Sequence, residues 1–206
     1  MSISVNLAPM PRRRAIALAT AAAMSMLLAA PVGVIAADKP DAFVQSIGDQ
    51  VVKVLQQKLP RDQTEQQLNG IWLNAFDVQA IGRTVLGTHW RTASDEQRKA
   101  YMDVFPKYVA KVYAIQFSDY SGQTFQVGGS SALSGEQTLV HAKIVSPDKE
   151  PVKVDFVVQS GDQGMKIEDV KVEGVSLLIT KRTEFDSVVA QKGIDGLIQA
   201  MRAKTG

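Results

Sequence analysis

Four stretches between residues 125 and 172 alternate apolar and polar side chains, and nothing else in the chain narrows its fold so far. Phe125 and Val127 flank a polar residue. Val140, Ala142 and Ile144 alternate with His141 and Lys143, and Val152, Val154, Phe156 and Val158 alternate with Lys153 and Asp155. Met165 and Ile167 keep the same step, slip by one residue at Glu168-Asp169, and resume it at Val170 and Val172. A period of two is that of a strand with one buried face, and a one-residue slip predicts a β-bulge. Gly128-Gly129, Pro147-Asp148 and Gly161-Asp162 read as turns. Connections this short predict an antiparallel meander of four strands, apolar on one face and covered on that face.

The covering layer is helical. Phe43, Ile47, Val51, Val54 and Leu55 recur at helical spacing before Pro60, and Leu68, Ile71, Trp72, Ala75 and Phe76 form a second stripe. Asp77 is placed to cap a short helix carrying Val78, Ile81 and Val85, with Gly87 as its stop. Ser94 and Gln97 have capping-box spacing and open a long helix bearing Tyr101, Phe105, Tyr108, Val109 and Val112. That helix runs to about Phe117 and contains Pro106. After the strands, Thr183 is the expected cap of a helix with Phe185, Val188 and Val189, stopped by Gly193. Ile194, Leu197, Ile198 and Met201 form a last amphipathic helix. The expected class is α+β: helices on one face of a curved antiparallel four-stranded sheet. A bulge-curved sheet can leave an apolar cleft under its helices, but periodicity does not separate a lined cleft from a filled core.

The first 37 residues read as a leader. Arg12, Arg13 and Arg14 precede the small, apolar run Ala15 to Ala30, and Val34-Ile35-Ala36 supply a cleavage region. This is the pattern of a secretory signal peptide cut after Ala36 or Ala37, leaving 38–206 as the domain. The paired arginines also fit the twin-Arg route. Loss of 1–37 removes three arginines and no acid, so the net charge falls from +2 to −1. A near-neutral domain is poorly suited to nucleic acid, whose binding rests on phosphate neutralisation. The chain has no cysteine, so an exported fold would stand without disulfides.

Little here could carry chemistry. Two histidines and no cysteine leave little from which to build a transition-metal site, and no metal or cofactor is expected. His141 lies on a polar strand face, and His89 beside Trp90 suits capping or packing. There is no G-x-S-x-G, and Gly128-Gly129-Ser130-Ser131 lacks the lysine and helix of a phosphate loop. Asp155 and Asp169 are the strand acids available to a carboxylate pair, but Asp155 points away from the apolar layer.

Three ordered pieces of the sequence resemble one family. They are Phe76-Asp77 with Leu86-Gly87-x-x-Trp90-Arg91 and Gln97, then Glu173-Gly174-Val175-Ser176-Leu177 with Arg182 and Phe185, then Gly193-Ile194-Asp195-Gly196-Leu197-Ile198. Together they look like the MlaC family of periplasmic lipid carriers, the toluene-tolerance proteins, over roughly residues 41 to 204. The chain departs from the family's habit at Met165, where a Trp is frequent, and at Thr180-Lys181, where Asn-Tyr is frequent. Tyr120-Ser121-Gly122-Gln123-Thr124-Phe125 after Phe117, with Lys181-Arg182-Thr183-Glu184-Phe185, resembles the hopanoid-associated branch.

The resemblance implies a non-enzymatic phospholipid carrier in the periplasm that holds acyl chains in a cleft between sheet and helices. It also implies exchange with an outer-membrane lipoprotein–porin complex and with an inner-membrane ABC transporter bearing a lipid-binding ring protein. On the faces assigned above, Val140, Ala142, Ile144, Val154, Phe156, Val158 and Val172 would make the sheet wall. Phe105, Val109 and Val112 would make the helix wall, with plain core packing as the alternative for each. Arg91 and Arg182 match family arginines and are open to either a headgroup phosphate or a structural ion pair. Two other expectations compete: an enzyme on a steroid-isomerase-like scaffold using Tyr101, Tyr108 or Tyr113, and a solid-cored envelope adaptor.

Overall fold

The computed structural model describes residues 39–116, 120–162 and 164–205. Three expectations fall outside that set: the leader at 1–37, the helix end at Phe117, and the side chain of Tyr113. Helix α1 (Pro40–Gln56) starts on a proline, whose fixed φ and missing N–H suit the first turn. Helix α2 (Arg61–Ala75) follows Pro60 and buries Leu68 and Ala75. The Asp77 carboxylate accepts the Ala80 N–H at 2.8 Å and caps α3 (Val78–Leu86). Gly87 ends it at φ 61°, ψ −131°, a conformation that β-carbons disfavour. A single turn, α4 (His89–Thr92), leads into α5 (Asp95–Gln116). The capping box there is reciprocal: Gln97 N–H donates to Ser94 Oγ at 3.2 Å, and Ser94 N–H to Gln97 Oε1 at 3.1 Å. Pro106 lies inside α5 without ending it.

The strands β1 (Thr124–Ala132), β2 (Gln137–Ser146), β3 (Lys149–Gly161), β4 (Gly164–Val172) and β5 (Val175–Ser176) form one antiparallel sheet in sequence order. The bulge lies where the slip placed it. Val157 pairs with Asp169 and Val158 with Ile167, so Glu168 is the extra residue. Two expectations need correction. Gly128-Gly129 is not a turn: the chain stays in β1 through Ala132, Gly128 is the extra residue at the register shift between Val127 and Gly129, and Gly129 takes φ 128°. The sheet also has a fifth strand, because Glu173 (φ 49°) and Gly174 (φ 81°) make a two-residue turn that folds Val175-Ser176 back on Lys171-Val172.

Helix α6 (Leu177–Thr205) starts directly after β5, not at Thr183. Its first turn is already capped. Ser176 Oγ accepts the Ile179 N–H at 3.0 Å, and Asp169 Oδ1 accepts the Leu178 N–H at 3.1 Å. Thr183 sits mid-helix, its hydroxyl donating to the Ile179 carbonyl. Gly193, at φ 69° and ψ 175°, breaks α6 where a stop was expected.

Burial divides into two clusters. One is helical and includes Ile81, Val85, Tyr101, Phe105, Val109, Phe185, Leu197 and Met201 from α3, α5 and α6. The other joins α1 to the sheet through Val44, Ala75, Val140, Val158 and Ile167. Phe76 packs against both. It also bridges to β4, where the Asp77 N–H donates to the Ile167 carbonyl at 3.0 Å.

Candidate functional site

Six of the ten expected wall residues fall into these two clusters, and the other four lie on the apolar strand face. Val140 and Val158 are fully buried against α1, with Phe156 packed beside them. Ala142 and Val154 are buried, and Ile144 and Val172 half-buried, on the same strand face. Phe105 and Val109 lie inside the helical cluster, with Val112 packed on it. α1 approaches the sheet closely because Gly48 lacks a side chain: a Cβ there would stand 2.0 Å from Phe125 Cδ1.

An open cleft of about 540 Å³ lies on the opposite strand face. Its lining brings Ile81 of α3 and Leu178 of α6 to Val157 of β3. Val157 and Val158 are consecutive and point to opposite faces, so the cleft and the α1 cluster lie back to back across β3. Leu133 and Ile179 also line the cleft and are exposed, at 43% and 54%. Polar atoms come from Gln137, Glu168, Asp169 and Lys171. Glu168 accepts from Gln137 at 2.7 Å, and Asp169 is held by the α6 cap. None of the ten expected wall residues lines this cleft or the second one, which runs from Leu73 and Phe76 to Gln159 and Lys166. Alternation alone does not single out Val157, which interrupts the apolar–polar step of β3; that break, beside the bulge, is the available signal.

The two arginines make no ion pair among the described residues. Arg91 is exposed, and Arg182 lies exposed over Gly87, whose added Cβ would be 3.0 Å from Arg182 Nε. The sequence pieces that carried the family resemblance meet in this corner. Trp90, Phe105 and Phe185 surround Tyr101, with ring centroids 6.5, 5.3 and 6.3 Å away. Tyr101 donates to the Gly82 carbonyl at 3.0 Å, and burial pushes its phenol far above the ordinary value of 10. Gln97 donates to Asp195 at 3.1 Å, and His89 Nε2 stands 2.7 Å from Asp186. These residues hold helices together; neither Tyr101 nor Tyr108 lines either cleft.

One arrangement on the polar strand face has the order of a hydrolase triad. Ser131 Oγ lies 3.2 Å from His141 Nε2, and His141 Nδ1 lies 2.9 Å from Asp155 Oδ1. Sheet register produces it, since His141 and Asp155 are direct partners and Ser131 is diagonal to His141. Acyl transfer also needs a bound ester and donors aimed at its oxyanion. Ser131 and His141 are exposed, and none of the three lines either cleft. Among the described residues there is no cluster of His, Asp or Glu able to hold a metal. No helix among them is long and apolar enough to cross a membrane.

A family model described as MlaC protein matches residues 45–203. The chain is 25% identical over 131 residues to the intermembrane phospholipid transport system binding protein MlaC of Haemophilus influenzae, a match spanning 61% of each chain. It is 22% identical over 176 residues to toluene tolerance protein ttg2D of Pseudomonas putida, spanning 82% of each. A phospholipid-binding protein from Ralstonia solanacearum, solved in complex with a phospholipid, shares the fold at a TM-score of 0.71 and 21% identity. That alignment covers 80% of this chain and 96% of the other.

Proposed function

The chain belongs to the MlaC family, and from that membership we propose that it is a phospholipid carrier of the periplasm. The observation that carries this reading is the extent of the family match, which runs from α1 to the last turns of α6. The cleft between Ile81, Leu178 and Val157 supports it, because its volume lies in the range of about 300–1,000 Å³ used by small-ligand sites. We propose this cleft as the entry for an acyl chain. The opposite face of the sheet, bearing Val140, Ala142, Ile144, Val154, Phe156, Val158 and Val172, would be a separate surface for an acyl chain when α1 lifts from it. Phe105, Val109 and Val112 would serve as packed backing behind Ile81.

A carrier of this kind needs no catalyst. Each buried CH₂ contributes about 0.8 kcal/mol relative to water. A bilayer offers nearly the same burial, so exchange between membrane and cleft is close to neutral. Its direction is then set by partners, here proposed to be an outer-membrane lipoprotein–porin complex and an inner-membrane ABC transporter with a lipid-binding ring protein. Export on a cleaved leader at 1–37 would bring the chain to them.

Native mass spectrometry of the protein purified from its own host, with lipid analysis of an organic extract, tests the reading. A phospholipid bound one to one is expected. A hopanoid would keep the carrier and change its cargo. A bare mass that incubation with liposomes does not change would overturn the proposal.

A further inference from the structure

Resting on the carrier reading, we infer that Lys171 is the phosphate contact at the cleft and that Glu168 and Asp169 receive an amine, which selects zwitterionic over anionic headgroups. Lys171 is the one cation in the lining of this cleft. It is half-buried and has no hydrogen-bond or ion-pair partner among the described residues, although Asp155 is its direct cross-strand partner. A half-buried ammonium that makes no direct ion pair of its own at the cleft is open to an anion from the ligand.

The two carboxylates decide which anion. Glu168 projects from the bulge, and Asp169 follows it on the face of Val157. Each gives one oxygen to a protein donor, Gln137 or the Leu178 N–H, and keeps its second oxygen for another partner. The lining therefore carries one positive and two negative charges. A phosphodiester with no amine would set Lys171 against two repelling carboxylates. A headgroup that adds its own ammonium answers both signs. A unit charge about 6 Å from such a group in a half-wet mouth discriminates on the order of tenfold.

Ile81, Val157 and Leu178 supply the apolar side of the same cleft, so acyl chain and headgroup are read by neighbouring residues. The shared chemistry is a phosphodiester bearing an amine, available from a lipid or from its water-soluble glycerophosphodiester.

The test loads the purified protein from vesicles holding equal phosphatidylethanolamine and phosphatidylglycerol with the same acyl chains, and reads bound lipid by native mass spectrometry. Wild type should carry the ethanolamine lipid in about tenfold excess. Lys171→Met should lower total lipid several-fold, Lys171→Arg should restore it, and Glu168→Gln should shrink the preference to about threefold. Excess glycerophosphoethanolamine should leave the load in place, since acyl burial supplies most of the affinity. Displacement by that compound alone would mean a soluble phosphodiester site and would overturn the lipid assignment. Lipid bound without headgroup preference, in wild type and Lys171→Met alike, overturns this inference and leaves the carrier standing. Wild type that takes no lipid from either source overturns both.

Discussion

Gly48→Ala separates two effects of opposite sign, and a second substitution exchanges the winner. Alanine in a helix interior is better than glycine by about 1 kcal/mol, so an isolated α1 would gain. In the folded protein the added Cβ would stand 2.0 Å from Phe125 Cδ1 and 2.5 Å from Cε1. The ring has to swing out, giving up its edge-to-face contact with Phe156 at 5.8 Å and 78°. Overpacking of this kind costs about 1–3 kcal/mol, so the net expectation is a loss of about 1 kcal/mol. For a domain of this size that lowers Tm by about 2–4 °C. In a Phe125→Ala background the obstacle is gone, and Gly48→Ala should raise Tm by a similar amount. Thermal and urea unfolding of the four proteins, followed by circular dichroism, give a coupling of about 2 kcal/mol if the reasoning holds. The same sign in both backgrounds would refute it, and with it the claim that α1 is seated directly on the sheet.

Val157→Trp should fill the cleft beside it and cut lipid occupancy in native mass spectra, whereas Ala142→Trp, which lines neither cleft, should leave the cleft open while overpacking a closed face at a cost of about 1–3 kcal/mol. Gly87→Ala should cost about 1–3 kcal/mol in urea unfolding, because φ 61° with ψ −131° strains a β-carbon that also meets Arg182. Tyr101→Phe should cost about 1 kcal/mol for the bond to Gly82. Burial raises the folded phenol above its unfolded value, so its contribution is complete below pH 10 and is lost as the pH rises further. Unfolding measured across that range should show a shallower alkaline decline in Tyr101→Phe than in wild type.

The period-two stretches carried the sheet because one buried face forces alternation, and the Glu168-Asp169 slip was visible because a bulge breaks that step. Other elements were harder to read. Thr183 was expected to cap a helix, but Ser176 and Asp169 had already capped it, and Asp169 reaches the helix only through the sheet. Gly128-Gly129 looks like a turn locally, yet pairing with β2 holds it in a strand. The division into two clusters was not legible: Val140 and Phe105 share the apolar character of one core, and only tertiary packing assigns them to α1 or to the helices. Val157, the strand side of the open cleft, is the residue that alternation sets aside.

The two clusters also set an order of opening. The α1–sheet cluster is the smaller, and it meets the helical cluster at Phe76. Lifting α1 would expose Val44, Val140, Val158 and Ile167 while Tyr101, Phe105, Phe185 and Met201 stay enclosed by α3, α5 and α6. Subglobal opening of this kind lies well below the free energy of complete unfolding. Amides of α1 and β1 would then exchange with solvent long before those of α5. A protein divided in this way can be filled and emptied repeatedly without presenting its whole chain to proteases.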